Sequence, residues 1–192
     1  MSGSINTATA SLAAGIAAAS EAVRNAAQSP ADQVRLLSDL AAYSPVVTSS
    51  TAPIGSAIAT AQSAAAALCR RSALISLCIA TSNYQPYSSQ DAITLRDNVV
   101  TLLDAEMLIA ADGGNLATWQ AFRDLRSKVV TDLTDRAAQL PAQRTVTTQE
   151  PLPSLLLAYQ LYGDASRSDD LIARVDPIHP AFMPVSFEAL SS

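Results

Sequence analysis

From Ile54 to Ile79 apolar or small residues recur at alternating steps of four and three: Ile54, Ile58, Ala61, Ala65, Leu68, Ser72, Ile75 and Ile79. A mean step of 3.5 residues is the period of a helix face that packs along a second helix, and a strand cannot follow it. Pro53 stands where its fixed φ suits a first helical turn, and the pattern runs to about Asn83. Such a helix approaches ~45 Å in length. Small residues at the middle of the row let a neighbouring helix come close. Ile54, Ile58, Ala61, Ala65, Leu68, Ile75 and Ile79 are therefore the candidate helix-packing seam.

Two further long helices follow the same logic. Residues 90–111 place Leu95, Val99, Leu102 and Ile109 along one face, with Ile93, Val100, Leu103 and Met107 beside it and Asp97, Asp104 and Glu106 outside or at its edge. Asp112-Gly113-Gly114-Asn115 is a stop signal. Residues 115–140 carry the stripe Leu116, Trp119, Phe122, Leu125, Val129, Leu133, Ala137 and Leu140, while Arg123, Asp124, Lys128, Asp132 and Asp135 face water. Pro141 ends this helix. Short connections make sequential helices antiparallel neighbours.

The flanks are weaker. Residues 5–28 form a thin stripe of Leu12, Ile16, Ala19 and Val23 in an alanine–serine background, marginal as an isolated helix. Ser29 as N-cap, Pro30 in the first turn and Asp32 near the positive end begin a better helix. Residues 43–52 read as a linker. Past residue 141 the chain is extended to about 151, then helical from Pro153 to Tyr162 with Gly163 as the stop, and briefly helical again over 166–175. The tail 176–192 carries three prolines and no helical period.

The expected fold is all-α: an antiparallel helical bundle of three to four long helices, with a weak N-terminal helix and an irregular proline-rich C-terminal tail. Segment 29–42 or 153–162 supplies the fourth side. The expected organisation is an alanine-rich N-terminal helical arm and linker over 1–52, a bundle core over 53–140 and a C-terminal docking segment over 141–192.

Composition excludes several function classes. Charged residues are 15% of the chain and aromatics 5%, with a formal net charge of −5. That field repels phosphate backbones, and no stretch is a basic patch. Arg70 and Arg71, then Arg123, Arg126 and Lys128, are the only local concentrations of cations, so they are the candidate nucleic-acid contacts. The only histidine is His179, in the proline-rich tail. Cys69 and Cys78 lie within one helix on opposite faces, too far apart for a disulfide. No metal-ligand spacing, phosphate-binding glycine loop, nucleophile elbow or dinucleotide fingerprint is present. Asp132 with Asp135 reads as a solvated face, and Asp169-Asp170 as a first helical turn. The expectation is a protein that is not an enzyme and uses no cofactor or metal. Its apolar stretches are broken by Ser, Gln or Arg, so no membrane insertion is expected, and the N-terminus lacks the pattern of a secretory signal.

Several strings resemble one known family. They are Tyr87-Ser-Ser-Gln-Asp91, Leu95-Arg-Asp97, Leu103-Asp-Ala-Glu106, Leu125-Arg126 with Val129-Val130, and Asp132-Leu-Thr-Asp-Arg-Ala-Ala138. The most specific are Leu152-Pro153, Leu157-Ala-Tyr-Gln-Leu-Tyr-Gly-Asp164, Arg167, Ile172-Ala-Arg174 and His179-Pro180. Over about residues 84–184 the chain resembles the C-terminal region of the DNA-circularisation (DNA circulation) proteins of Mu-like bacteriophages. The resemblance implies a virion protein of the tail, near the baseplate or hub, present in the host cytoplasm during assembly. It also implies that the chain corresponds to part of a longer protein or to a split homologue.

The closing stretch is similar to the second half of a LysM-like module: Tyr162-Gly163, a helix around Ile172, then Pro180 and Pro184. Val175 and Val185 depart from that pattern, which prefers Asn and Gly there, so the expectation is a docking element. Taken together, the expected function is a structural assembly module of a phage tail or baseplate. It would act by protein–protein contacts with other tail proteins and by self-association. The alternative, implied by the family name, is DNA-end binding by a DNA-circularisation protein during infection.

Overall fold

The computed structural model describes residues 2–48 and 51–191, and their side chains except those of residues 2–6 and 8. The elements run α1 (Ser2–Ala26), α2 (Pro30–Ala41), α3 (Pro53–Asn83), α4 (Ser89–Asp112), α5 (Leu116–Gln139), β1 (Gln143–Thr147), α6 (Ser154–Tyr162), a 3-10 turn (Ala165–Arg167), α7 (Ser168–Val175) and β2 (Ser186–Leu190). The protein is a predominantly α-helical bundle with one small two-stranded sheet.

Local chemistry sets several helix ends. Ser29 is extended, and its hydroxyl accepts the Asp32 N–H at 3.1 Å, with Pro30 in the first turn of α2. Ser88 caps α4 in the same way, accepting from Asp91 N at 3.1 Å. The side chain of Asn115 accepts from Thr118 N at the start of α5. Gly114 (φ 68°) and Gly163 (φ 71°) adopt the left-handed conformation that stops α4 and α6.

The chain forms two compact units, residues 1–85 with 95–132 and residues 86–94 with 133–192. In the first unit both α1 and α2 pack on α3. Segment 29–42 thus stands beside α3 as an extra side of this unit. The unit buries Leu37 and Ala41 of α2, Ala73, Leu74, Leu77 and Ala80 of α3, Leu95, Val99 and Leu103 of α4, and Phe122 and Val129 of α5. On α4 the buried row passes through Leu103 and Ala110, leaving Leu108 and Ile109 exposed.

The second unit corrects the reading of the tail as irregular. Ser186–Leu190 is a strand, β2, paired antiparallel to β1 with Val146 opposite Phe187 and Thr145 opposite Glu188. Thr148 N donates to Val185 O and Ser191 N to Ala142 O at the two ends of the pair. Phe187 and Ala189 are buried while Ser186 and Glu188 are exposed, the alternation of a half-buried strand. The order is strand, helix, 3-10 turn, helix, strand. Leu157, Leu171, Met183, Phe187 and Ala189 form its core, with Val146, Leu152 and Tyr162 packed around them. The Tyr162 hydroxyl accepts the Leu190 N–H at 3.2 Å, and the Arg167 guanidinium lies 4.0 Å over the Tyr162 ring.

Candidate functional site

The seam on α3 is not the face that builds the core. Ile54, Ile58, Ile75 and Ile79 are 78%, 54%, 52% and 41% exposed. Ala61 is exposed, and Ala65 and Leu68 are half-buried. The face turned inward is Ala66, Ala73, Leu74, Leu77, Ala80 and Thr81, which lies about two-fifths of a turn from the isoleucine row at ~100° per residue. Alanine fits either face, so composition alone does not say which side of α3 is covered. The outcome is a long helix with one side in the core and an apolar row whose isoleucines at both ends are exposed, while Ala65, Leu68 and Ser72 between them are half-buried. By length and composition alone α3 is long and apolar enough to cross a membrane; 39% of its most apolar stretch is buried inside the protein. Core helices of soluble proteins meet the same criteria.

A second apolar surface lies on the other unit. α6 buries Leu157 and Ala158 and exposes Leu155, Leu156 and Tyr159, and Ile178, Phe182 and Val185 are exposed in the segment that leads to β2. The sequence signals this surface through the composition of α6, not through any periodic row. A nine-residue helix reading Ser-Leu-Leu-Leu-Ala-Tyr-Gln-Leu-Tyr is apolar all round, and a helix with one buried side must then present apolar residues to solvent.

The charged residues are arranged differently from the expectation. Glu106, placed by pattern at the edge of its helix, is 2% exposed. Its Oε2 accepts from Nε of Arg70 at 2.8 Å and its Oε1 from Nε of Arg71 at 2.6 Å. Burial of a lone carboxylate is costly, and two guanidiniums offset that cost here. Arg70 also reaches the Tyr43 carbonyl at 3.5 Å. Arg126 holds Asp104 through two bonds, of 2.7 and 3.3 Å. The Arg123 guanidinium sits 5.5 Å from the Trp119 ring centroid. Lys128 is exposed. The five candidate nucleic-acid contacts therefore form no free cationic stripe: four are engaged by a carboxylate or an aromatic face.

Chemistry-bearing groups are scattered. His179 is exposed, and its Nδ1 accepts the Ala181 N–H at 3.1 Å within a turn. Cys69 and Cys78 are free and half-buried, and burial pushes the Cys78 thiol up to about 11. No group of three or more His, Cys, Asp or Glu side chains among the described residues could hold a metal ion. A cleft of about 300 Å³ lies beside Arg70 and Glu106, lined also by Ala41, Leu102 and Ile109. One of about 390 Å³ in the second unit is lined by Tyr87, Asp170, Ala173, Arg174 and Leu190.

No protein-family model matches the chain, and no curated protein sequence matches it.

Proposed function

We propose that this chain is a structural assembly module of a phage tail or baseplate, acting by protein–protein contacts and not by catalysis. The observation that carries the reading is the exposure of large apolar side chains in ordered rows, Ile54 to Ile79 on α3 and Leu155, Leu156 and Tyr159 on α6. Contiguous apolar surface on helices marks macromolecular contact sites. The tail assignment rests on the resemblance of residues 84–184 to the C-terminal region of the DNA-circularisation proteins of Mu-like phages. In the LysM-like closing stretch, the departures at Val175 and Val185 favour docking on protein over binding glycan. On this reading the chain resides in the virion tail, and in the host cytoplasm during assembly.

DNA-end binding is disfavoured by the charge arrangement. The net charge is −5, and a phosphate would have to displace Glu106 or Asp104 from the arginines that hold them.

The test is deletion of the coding segment from the parent phage. Expected are particles arrested without complete tails in electron micrographs, with the chain present in wild-type tails by mass spectrometry. Infectious particles of normal form lacking the chain would overturn the proposal. Anisotropy of a labelled linear duplex at low and moderate salt tests the alternative: the assembly reading predicts no binding at low salt, and salt-sensitive binding would count against it.

A further inference from the structure

The exposed row on α3 has a symmetry beyond its period. About the midpoint between Ala66 and Ala67, each seam residue has a mirror image: Ile54 with Ile79, and Ile58 with Ile75. Nearer the centre Ala61 mirrors Ser72, and Ala65 mirrors Leu68. Large residues occupy both ends and small ones most of the middle.

We infer that α3 pairs antiparallel with α3 of a second copy of this chain, about a two-fold axis at Ala66–Ala67. A two-fold interface is isologous, so residue i must meet residue j and j must meet i. An antiparallel helix pair places every isoleucine of the row against an isoleucine of the partner. It also sets each residue that follows a step of three against one that follows a step of four, which is the layer geometry of antiparallel coiled coils. Nearest the axis Ala65 of each copy meets Leu68 of the other, and Ala61 meets Ser72, so no two large side chains oppose each other there. The row itself carries no charge, and the two arginines of α3 are held by Glu106. A parallel pair in the same register would match each residue with its own copy and would need no mirror symmetry.

The strip from Ile54 to Ile79 is about 38 Å long and about 10 Å wide. Its footprint, roughly 400 Å² per copy, is about half that of a standard stable interface. Pairing through α3 alone therefore gives a weak, reversible dimer. The inference rests on the assembly reading only in taking the exposed row as a contact surface.

The test uses the full chain with Cys69→Ser and Cys78→Ser, carrying either Ile58→Cys or Ile75→Cys, under mild oxidation with diamide. Diamide takes up the two protons and two electrons released as two thiols become a disulfide. The antiparallel pair predicts a disulfide-linked dimer when the two variants are mixed, and none from either alone, because like positions lie about 26 Å apart along the axis. Crosslinking of Ile58→Cys with itself would overturn the arrangement. Sedimentation velocity of the unmodified chain should show a monomer–dimer equilibrium that Ile54→Gln, at an exposed position, shifts to monomer while the helical circular-dichroism signal stays unchanged. A monomer at every concentration would overturn the inference, as would a monomer that floats with phosphatidylcholine vesicles, which would make the row a membrane face. Failure here with the chain still present in tails would leave the assembly reading standing. A dimer absent from tails would do the reverse.

Discussion

The buried hydroxyl of Ser76 on α3 donates to Oε1 of Glu21 on α1 across 3.0 Å, while Arg24 donates to Oε2 of the same carboxylate at 2.6 Å and 3.0 Å. This is a polar joint between an otherwise thin alanine-rich helix and α3. The hydrogen bond from Arg24 first, and that from Ser76 next, hold the Glu21 carboxyl below its ordinary value of 4.5. A depressed carboxyl contributes stability that is present above the unfolded value and is lost as the pH falls through the folded one. Amide exchange in α1 should therefore quicken, relative to α3, as the pH drops below about 4.5. Glu21→Gln should quicken it at neutral pH and remove most of the acid dependence. Equal protection of α1 in both proteins at pH 7 would contradict this joint.

Glu106 makes a sharper prediction. With both carboxylate oxygens held by guanidiniums that are 15% and 27% exposed, Glu106→Leu strands two partly buried cations. Urea unfolding should show a loss of about 3 kcal/mol or more. Replacing all three partners (Arg70→Met, Arg71→Met, Glu106→Leu) should recover most of that loss, because a well-packed apolar triad removes the desolvation penalty. A triple variant no more stable than the single one would show that the ion network itself stabilises the fold.

Burial pushes the thiol of Cys78 up to about 11 from about 9. The fold favours the neutral thiol, so this contribution to stability is complete below pH about 9 and is lost as the pH rises through about 11. In a Cys69→Ser background the remaining thiol should react with a disulfide reagent at pH 8 far more slowly than the same chain in denaturant. Equal rates would place Cys78 in solvent.

Gly163 ends α6 at φ 71°, and a Cβ built there meets nothing within 4 Å. The cost of Gly163→Ala is thus conformational alone, about 1 kcal/mol. Gly163→Asn should cost less, since Asn visits the left-handed region more readily. Thermal melts of the two variants decide it, and equal melting temperatures would contradict the assignment.

These cases also show what the sequence makes legible. The bounds of α3 at Pro53 and Asn83, the Ser29 cap and the Gly163 stop rest on chemistry within four residues, and all three are readable without a structure. The pairing of β2 with β1 is not, because its register joins Gln143 to Leu190 across the whole second unit and the strand is five residues long behind a run of prolines. Nor is the burial of Glu106, whose partners on α3 stand more than thirty residues earlier. On α3 the periodicity correctly marks an apolar row, but with alanine on every side it does not tell whether that row faces the chain's own core or something else. The isoleucines themselves turn outward.

The most direct test of the account places a photoactivatable diazirine side chain at Ile79 on α3, or at Tyr159 on α6, in phage that assembles normally. The tails are then irradiated after purification and analysed by mass spectrometry. The account predicts covalent adducts to tail polypeptides from both positions, with a second copy of this chain among those from Ile79. Purified tails that lack the chain, or that contain it with both positions joined only to solvent, would contradict the claim that it works by protein contact.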